Sequence, residues 1–242
     1  DINSIGCGLN ESVAQKIKAE RMKTELITNV SHDLKTPLTS IISYTQLLSD
    51  MKNLPDEAKD YVGIISKKAQ RLKNLTQHWF DISKVQSGNE VINKEKLDIS
   101  LLVSQSLGEH NGEIEKSGLE FCTDLQSELF VNVDGRKMSR VVDNLISKIL
   151  KSSLDGTRVY VSSRENSGKV YVEFKNISAS PMNFSTAEIT ERFVRGDASR
   201  TKEGNGLGLA IAKEYTHACG GRFMIFTDGD LFKVVLAFSV CE

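Results

Sequence analysis

A long apolar stripe near the start of the chain constrains its fold more than any other feature. Apolar residues there recur at intervals of four and seven, so at about 100° per residue they share one narrow face of a helix. The helical pattern runs from about residue 10 to residue 50 and contains one proline, Pro37, which we expect to kink it. Because such a length is unusual in a globular domain, it predicts a bundle arm or a coiled coil. The stripe consists of Leu26, Val30, Leu34, Ile41 and Leu48.

A second helical pattern follows a turn at residues 51–56. It begins near Pro55, which suits the first turn of a helix, and ends near Ser87. The two helices would form a hairpin whose apolar stripes are too large to remain in water. We therefore predict that two hairpins form a four-helix bundle and that the chain is a homodimer. The apolar positions of the second helix are Tyr61, Ile65, Leu72, Leu75, Trp79 and Ile82.

One histidine of the first helix lies away from the apolar stripe. His32 falls about 200° from Val30 around the helix axis, so core packing does not account for it. Thr36 lies one turn further on and shares the face of His32, and Asp33 is adjacent in sequence. An exposed imidazole with a carboxylate and a hydroxyl nearby predicts a chemical role. The alternative is an ordinary solvated histidine on a helix surface.

Composition narrows the classes of partner. The chain has 242 residues, of which 39% are hydrophobic and 26% are charged, as in a globular protein of one large or two modest domains. A formal net charge of −1 gives no reason to expect nucleic acid as a partner. No run of about 18 apolar residues occurs, so we expect no membrane contact in this chain. Four widely spaced cysteines without a CxxC pair predict reduced thiols and a cytoplasmic location.

The pattern changes after about residue 89 to a mixture of helices and strands. Alternating apolar residues mark the strands, and the segments 158–164 and 169–176 predict a hairpin. A polar, irregular stretch covers residues 178–203. This order predicts an α+β fold in which helices cover one face of a mixed sheet. The predicted helices are 97–116, 134–153 and 206–218, and the other predicted strands are 119–125, 130–133, 222–227 and 232–238.

Four segments together resemble the motifs of two-component sensor histidine kinases. Ser31-His32-Asp33-Leu34-Lys35-Thr36-Pro37-Leu38 resembles their H-box, and residues 143–151 resemble their N-box. Residues 189–197 resemble the F-box of the lid, and Gly204-Asn205-Gly206-Leu207-Gly208-Leu209 resembles the G2-box. Glycines before a helix allow backbone N–H groups to approach phosphates closely. The resemblance covers about residues 20–240.

The resemblance implies a domain order and an activity. A truncated signalling helix would occupy residues 1–22, a dimerisation and phosphotransfer hairpin residues 23–88, and an α/β sandwich of the Bergerat ATPase type residues 89–242. His32 would be phosphorylated from ATP and would pass the phosphoryl group to an aspartate of a response regulator. Asp33 would act as general base, and Thr36 would position water for a phosphatase reaction. The resemblance also implies a parent protein that is anchored to the cell membrane.

ATP and Mg²⁺ are the cofactors that the resemblance implies. Asn144 would contact phosphates and would be the metal ligand. The lid would close over the nucleotide with its arginines, which include Arg192. The residues implied to bind the nucleotide are Asn144, Lys148, Lys151, Asn176, Phe193, Arg195, Arg200, Gly204, Gly206, Leu207, Gly208 and Leu209.

The chain departs from the family pattern at four positions. Lys148 replaces a second asparagine that helps to hold Mg²⁺, and an ammonium cannot ligate a cation that requires oxygen ligands. Lys148 could instead neutralise phosphate charge directly. Ser152 replaces the usual tyrosine. In the G1-box, Asn176 replaces the aspartate that accepts from adenine, and Ser178 replaces a glycine. Asn176 retains a carbonyl oxygen that can accept from adenine N6.

Three alternatives to a working kinase remain open at this stage. The departures could leave a catalytically impaired protein that acts as a phosphatase or a docking scaffold. The chain could also be a dimerisation module without catalysis. An ATPase of the gyrase or chaperone kind is disfavoured, because Asn144 occupies the position of their catalytic glutamate.

Overall fold

The computed structural model describes residues 33–51, 54–86, 90–181 and 208–241. The chain divides into two compact units, Asp1–Glu90 and Val91–Glu242. The first unit is helical and the second combines helices with sheets. This confirms the predicted α+β class, with a helical region followed by a unit of helices and sheets.

The described part of the first unit contains two helices. Helix α1 covers residues 33–49 and continues through Pro37, and α2 spans Asp56–Gln86. Leu38 and Thr45, which are seven residues apart on α1, are both buried. Val62 and Ala69 repeat the same spacing on α2 and are also buried. A buried seam with a spacing of seven is typical of helices that pack side by side.

The second unit contains two sheets and four helices among its described residues. Five strands form a mixed sheet in the order β2-β4-β5-β7-β6, in which only β2 and β4 run parallel. Strands β1 and β3 form a separate antiparallel pair. The elements are β1 (Glu95–Asp98), α3 (Ile99–Glu109), α4 (Asn111–Ser117), β2 (Glu120–Leu125), β3 (Phe130–Val133), α5 (Gly135–Ser152), β4 (Arg158–Asn166), β5 (Lys169–Ile177), α6 (Gly208–Ala218), β6 (Arg222–Asp228) and β7 (Leu231–Ser239).

One predicted helix is correct at its start and wrong in its length. The cap expected at residues 97–100 is Asp98, but the helix expected to run to about residue 116 is interrupted at His110. The Asp98 carboxylate accepts from the backbone N–H groups of Ser100 and Leu101, at 3.0 and 3.3 Å, so it starts α3 while its backbone still belongs to the strand. His110 has φ −91° and ψ 5°, which ends α3, and its carbonyl then accepts the first bond of α4.

The amphipathic helix predicted at 134–153 is present as α5. Asp134 caps its first turn by accepting from the backbone N–H of Lys137 at 3.1 Å. Each large apolar side chain on its inner face contributes about 1.5–3 kcal/mol through burial. Asn144 and Lys148 lie along one edge of that face and are partly buried. The buried residues of α5 are Met138, Val141, Val142, Leu145, Ile146 and Ile149.

A charged cluster on the sheet gives a pH-dependent contribution to stability. The Glu173 carboxylate on β5 lies 2.9 Å from Lys175 Nζ and 3.1 Å from Lys233 Nζ. Burial raises the pKa of this carboxyl, but the hydrogen bonds and charges of both lysines outweigh burial, so the pKa lies below its ordinary value. Folding therefore favours the ionised form. The contribution is present above the unfolded pKa of about 4.3 and is lost as pH falls through the folded value.

We predict that Glu173→Gln lowers the free energy of unfolding by about 1 kcal/mol at pH 7, because both lysines lose a charged acceptor. The difference from the wild type should shrink towards zero at pH 3. Urea unfolding at both pH values measures it. Glu120→Gln is the control, since its ion pair with Arg158 is exposed and should contribute little. An equal loss at pH 7 and pH 3 would contradict the prediction.

Candidate active site

The predicted site residues fall partly within the described residues. Asp33 and Thr36 are exposed on α1. Asn144, Lys148 and Lys151 lie on α5, and Lys151 is exposed. The others within the described ranges are Asn176 on β5 and Gly208 and Leu209 at the start of α6. Those outside the described residues are His32, Phe193, Arg195, Arg200, Gly204, Gly206 and Leu207.

The structure brings the N-box and the end of the G2-box into direct contact. Asn144 Nδ2 donates to the backbone carbonyl of Arg140 at 2.8 Å, which fixes the amide orientation. A Cβ atom at Gly208 would lie 3.0 Å from Asn144 Oδ1. The absence of a side chain at Gly208 therefore allows α6 to begin against Asn144. Further along, Arg140 donates to the hydroxyl of the buried Tyr215 at 3.2 Å and ties α5 to α6.

Asn176 is held in one orientation by its neighbours. Its side chain is 2% exposed, and its Nδ2 donates to Ser153 Oγ at 2.8 Å. The Ser153 hydroxyl donates its proton to the backbone carbonyl of Ile149 at 2.7 Å, so its oxygen is left as an acceptor. The backbone carbonyl of Ile177 is a second acceptor, 3.4 Å from Nδ2. The amide N–H₂ therefore faces these acceptors and the carbonyl oxygen faces away from them.

The carbonyl oxygen of Asn176 is a buried acceptor without a donor. Within the described ranges, Oδ1 has no hydrogen-bond partner. Leaving a buried acceptor unsatisfied costs about 1–3 kcal/mol, which a ligand with an N–H donor would recover. An exocyclic amino group such as adenine N6 has this property. The donor and acceptor chemistry of Asn176 thus fits ATP.

Ser178 replaces a family glycine without backbone strain. Its N–H donates to the Asp230 carbonyl at 2.8 Å, and it forms an antiparallel bridge with Ser153. Among the described non-glycine residues, a positive φ occurs only at Glu128 and Ser167. The backbone at Ser178 therefore does not require glycine.

Lys148 lies over the sheet next to the strand pair that carries Asn176. Its Nζ is 6.0 Å from the centroid of the Phe232 ring. Phe232 on β7 is the antiparallel partner of Asn176 on β5, so the two side chains are neighbours on one face of the sheet. Burial lowers the pKa of the Lys148 ammonium.

Asp143 differs from Asn144 in its surroundings. The Asp143 carboxylate lies on the opposite edge of the inner face of α5 from Lys148, 4.0 Å from His110 Nδ1. Burial raises the pKa of this carboxyl, and its Oδ1 lacks a hydrogen-bond partner in the described part of the chain. His110 Nδ1 donates to the Ser106 carbonyl at 2.9 Å instead. Asp143 therefore does not join Asn144 as an oxygen ligand.

The donor set does not fit a Mg²⁺ ion held by the protein. At the Gly208 end of the site, the described residues provide one amide oxygen, Asn144 Oδ1, and the Lys148 ammonium one turn further on. Mg²⁺ binds protein through carboxylates together with water and phosphate oxygens in near-octahedral geometry. Across the described ranges, no cluster of three or more histidine, cysteine, aspartate or glutamate side chains is suited to a metal.

Sequence reasoning missed two residues that shape the site. Ser153 orients Asn176, and Phe232 lies beneath Lys148. A serine at the end of an amphipathic helix carries a weak signal, since such residues are common caps. Phe232 carried only the signal of a buried strand position. Their roles depend on the pairing of β5 with β7 and on the packing of α5 over both.

Two family matches fall one within each unit. Residues 22–88 match the His Kinase A (phospho-acceptor) domain. Residues 133–237 match the family of histidine kinase-, DNA gyrase B- and HSP90-like ATPases. A phospho-acceptor helical domain is thus followed by a nucleotide-binding domain in one chain.

Curated relatives of the chain are sensor proteins. The chain is 32% identical to the sensor protein VanS of Enterococcus faecium over 84% of its own length and 54% of that protein. It is 34% identical to VanSC of Enterococcus gallinarum, over 84% and 57% respectively. It is 31% identical to the sensor protein kinase WalK of Staphylococcus aureus, over 87% and 52%. The chain therefore spans about half the length of the curated relatives it matches.

Solved structures share the fold at lower identity. Full-length ShkA in complex with AMPPNP aligns with a TM-score of 0.74 and 21% identity, over 90% of this chain and 46% of ShkA. Histidine kinase ThkA in complex with the response regulator protein TrrA aligns with a TM-score of 0.62 and 19% identity, over 90% and 61%. These likenesses support the fold, and the family matches show a helical phospho-acceptor domain followed by a domain of the ATPase family. The chain belongs to the two-component sensor histidine kinases and contains their catalytic region.

We predict that Ser153→Ala weakens discrimination between bases. In the wild type, the inosine oxygen of ITP would meet the buried Asn176 oxygen, so ATP should bind about 10–100-fold more tightly. Without Ser153 Oγ the amide can rotate and present its N–H₂ group, so the preference should fall to about threefold. Competition against a fluorescent ATP analogue measures both affinities. Ser152→Ala, which removes only a bond to the Lys148 carbonyl, should keep the preference. Unchanged discrimination in Ser153→Ala would refute the assigned orientation.

We also predict that Gly208→Ala weakens nucleotide binding without destabilising the domain. The added methyl group must displace the Asn144 amide, which should cost about 1 kcal/mol, or about fivefold in affinity. Thermal unfolding should change little, because alanine favours the helix. Gly108→Ala on α3 is the matched control, since its Cβ would meet nothing within 4 Å. Equal nucleotide affinity in both variants would contradict the predicted role of this contact.

Proposed function

We propose that the chain is an ATP-dependent protein-histidine kinase that phosphorylates His32 and transfers the phosphoryl group to a response-regulator aspartate. The observation that carries the proposal is the buried oxygen of Asn176, which has no hydrogen-bond partner among the described residues and lies in a domain of the ATPase family. The base of ATP supplies the missing donor at that oxygen. His32, the proposed acceptor, lies within residues 22–88, which match the phospho-acceptor family.

The proposed nucleotide contacts extend from Asn176 towards the start of α6. Asn144 and the backbone at Gly208 meet at that end of the site, and the N-terminus of α6 favours the negative charge of phosphates. Lys148 and the exposed Lys151 add positive charge from α5. The other proposed contacts, which lie outside the described residues except for Leu209, are Phe193, Arg195, Arg200, Gly204, Gly206, Leu207 and Leu209.

Phosphoryl transfer to His32 requires a neutral ring nitrogen. An imidazole with a pKa of about 6.5 is mostly neutral at cytosolic pH. The exposed Asp33 carboxylate would orient the other ring nitrogen and accept its proton as general base. The reaction depends mainly on positioning and charge neutralisation. Asp33 would therefore contribute by orienting the ring, and the nucleotide site by holding the phosphates and neutralising their charge. Thr36, exposed one turn further along the helix, would hold water for dephosphorylation of the regulator.

A homodimer explains the exposed apolar surface of α1. Leu34, Ile41 and Leu48 recur every seven residues and are 40, 42 and 39% exposed, respectively. They flank the buried Leu38 and Thr45, so the seam is covered on one side only. A second hairpin packed on this surface completes a four-helix bundle. The proposed oligomer is therefore a homodimer.

The proposed cellular partner and location follow from the relatives. ThkA was solved with the response regulator protein TrrA, and we propose a receiver domain of the same kind as partner for this chain. No helix in the described ranges has the length and hydropathy needed to span a bilayer. We propose that these domains act in the cytoplasm and that the parent protein is anchored to the cell membrane.

Radiolabelled ATP tests the proposal. The wild type should acquire an acid-labile, base-stable label, and His32→Ala should acquire none because the acceptor is gone. Asp33→Asn should label about a hundredfold more slowly, since it lacks the general base. His217→Ala, which removes an exposed histidine of α6 without a proposed role, should label like the wild type. A label that persists in His32→Ala, or no nucleotide binding in any variant, would overturn the proposal.

A further inference from the structure

The surroundings of Lys148 distinguish this nucleotide site from the family pattern. Lysines usually keep the ammonium in water, yet this one is partly buried and its Nζ lies over the Phe232 ring. A cation over an aromatic face is attracted by the ring's negative face, which compensates part of the lost hydration. Lys148 on α5, stabilised by the Phe232 ring on β7, therefore places a positive charge inside the site.

Lys148 also lies between the two ends of the proposed nucleotide site. Along α5, Asn144 precedes it by four residues, or about 6 Å at 1.5 Å per residue, and Ser153, the C-cap of the helix, follows it by five residues. Asn144 contacts the Gly208 end, and Ser153 holds the base acceptor Asn176. A nucleotide that spanned the two ends would run along α5, on which Lys148 lies between them.

Two departures from the family pattern change the charge of the site in the same direction. Asparagine for aspartate at position 176 removes one negative charge, and lysine for asparagine at position 148 adds one positive charge. Together they raise the formal charge of the site by as much as one Mg²⁺ ion would. An amide oxygen at Asn144 with an ammonium one turn away does not suit that ion.

We propose that the Lys148 ammonium takes the place of Mg²⁺ beside the phosphates, so that this chain binds ATP without a divalent cation. The inference rests on the proposed function, because it concerns how the same site holds ATP. Free ATP, with its full negative charge, is then the preferred ligand. Adding a divalent cation should increase the affinity for ATP only slightly, because the nearby ammonium repels the cation.

Calorimetric titration of the full chain with ATP tests this inference. In EDTA the wild type should bind ATP within about threefold of its affinity in excess Mg²⁺. Lys148→Asn restores the family ligand, so its affinity in EDTA should fall at least about tenfold and Mg²⁺ should recover most of that loss. Lys148→Met keeps the apolar stem over Phe232 without the charge. It should lose the same affinity in EDTA and should not regain it with Mg²⁺.

Arg136→Asn is the matched control for net charge. Arg136 is exposed at the start of α5. Its replacement should therefore leave the affinity for ATP unchanged, both in EDTA and in excess Mg²⁺. Thermal unfolding of each variant confirms that it is folded, and Lys148→Arg, which keeps the charge, should retain binding in EDTA. The inference is overturned if the wild type binds ATP only with Mg²⁺, or if Lys148→Asn behaves like the wild type. Failure to bind ATP under either condition would instead refute the proposed function, and the inference with it.

Discussion

The hydrogen bond between Asn176 and Ser153 is the interaction on which the geometry of the site depends. It joins the end of α5 to the central strand β5, at 2.8 Å and away from solvent. Because Ser153 commits its only proton to Ile149, the bond has one direction, and that direction decides which atom of Asn176 faces the ligand. The Ser153 hydroxyl and the Asn176 amide can each form hydrogen bonds in more than one direction. Their place in a buried chain of hydrogen bonds leaves one direction for each.

The same bond fixes the positions of Asn144 and Lys148 relative to the sheet. Helix α5 is anchored along its length by its buried apolar face and at its end by Ser153. Residues at intervals of four along its edge therefore keep constant distances from Asn176. Side chains on a mobile loop would not keep such constant distances. One helix can therefore position both the proposed base contact and the proposed phosphate contacts.

The sequence predicted the elements that carry a strong periodic signal and missed those that depend on distant residues. Helix α5 was predictable because its apolar positions follow one face, and the β4–β5 hairpin because Ser167 and Gly168 favour a tight turn. Strand β1 was missed because Glu95-Lys96-Leu97-Asp98 does not alternate between apolar and polar residues and is not bounded by turn residues. Its backbone pairing with β3 is supplied by the fold and is not encoded in its own side chains.

The site shows the same division, and its charges indicate how a ligand must lie in it. The motifs placed Asn144, Lys148 and Asn176 among the candidates, but the roles of Ser153 and Phe232 followed only from their neighbours in space. Asn176 offers a buried neutral acceptor, Lys148 a partly buried ammonium over Phe232, and Lys151 an exposed ammonium on α5. The two positive charges are therefore less buried than the acceptor. A molecule with an uncharged, amino-bearing base and an anionic tail gains favourable contacts in one orientation and loses them when reversed, because its tail would then be desolvated beside a carbonyl oxygen. Polarity alone thus favours an orientation with the base at Asn176 and the anionic end towards the lysines of α5.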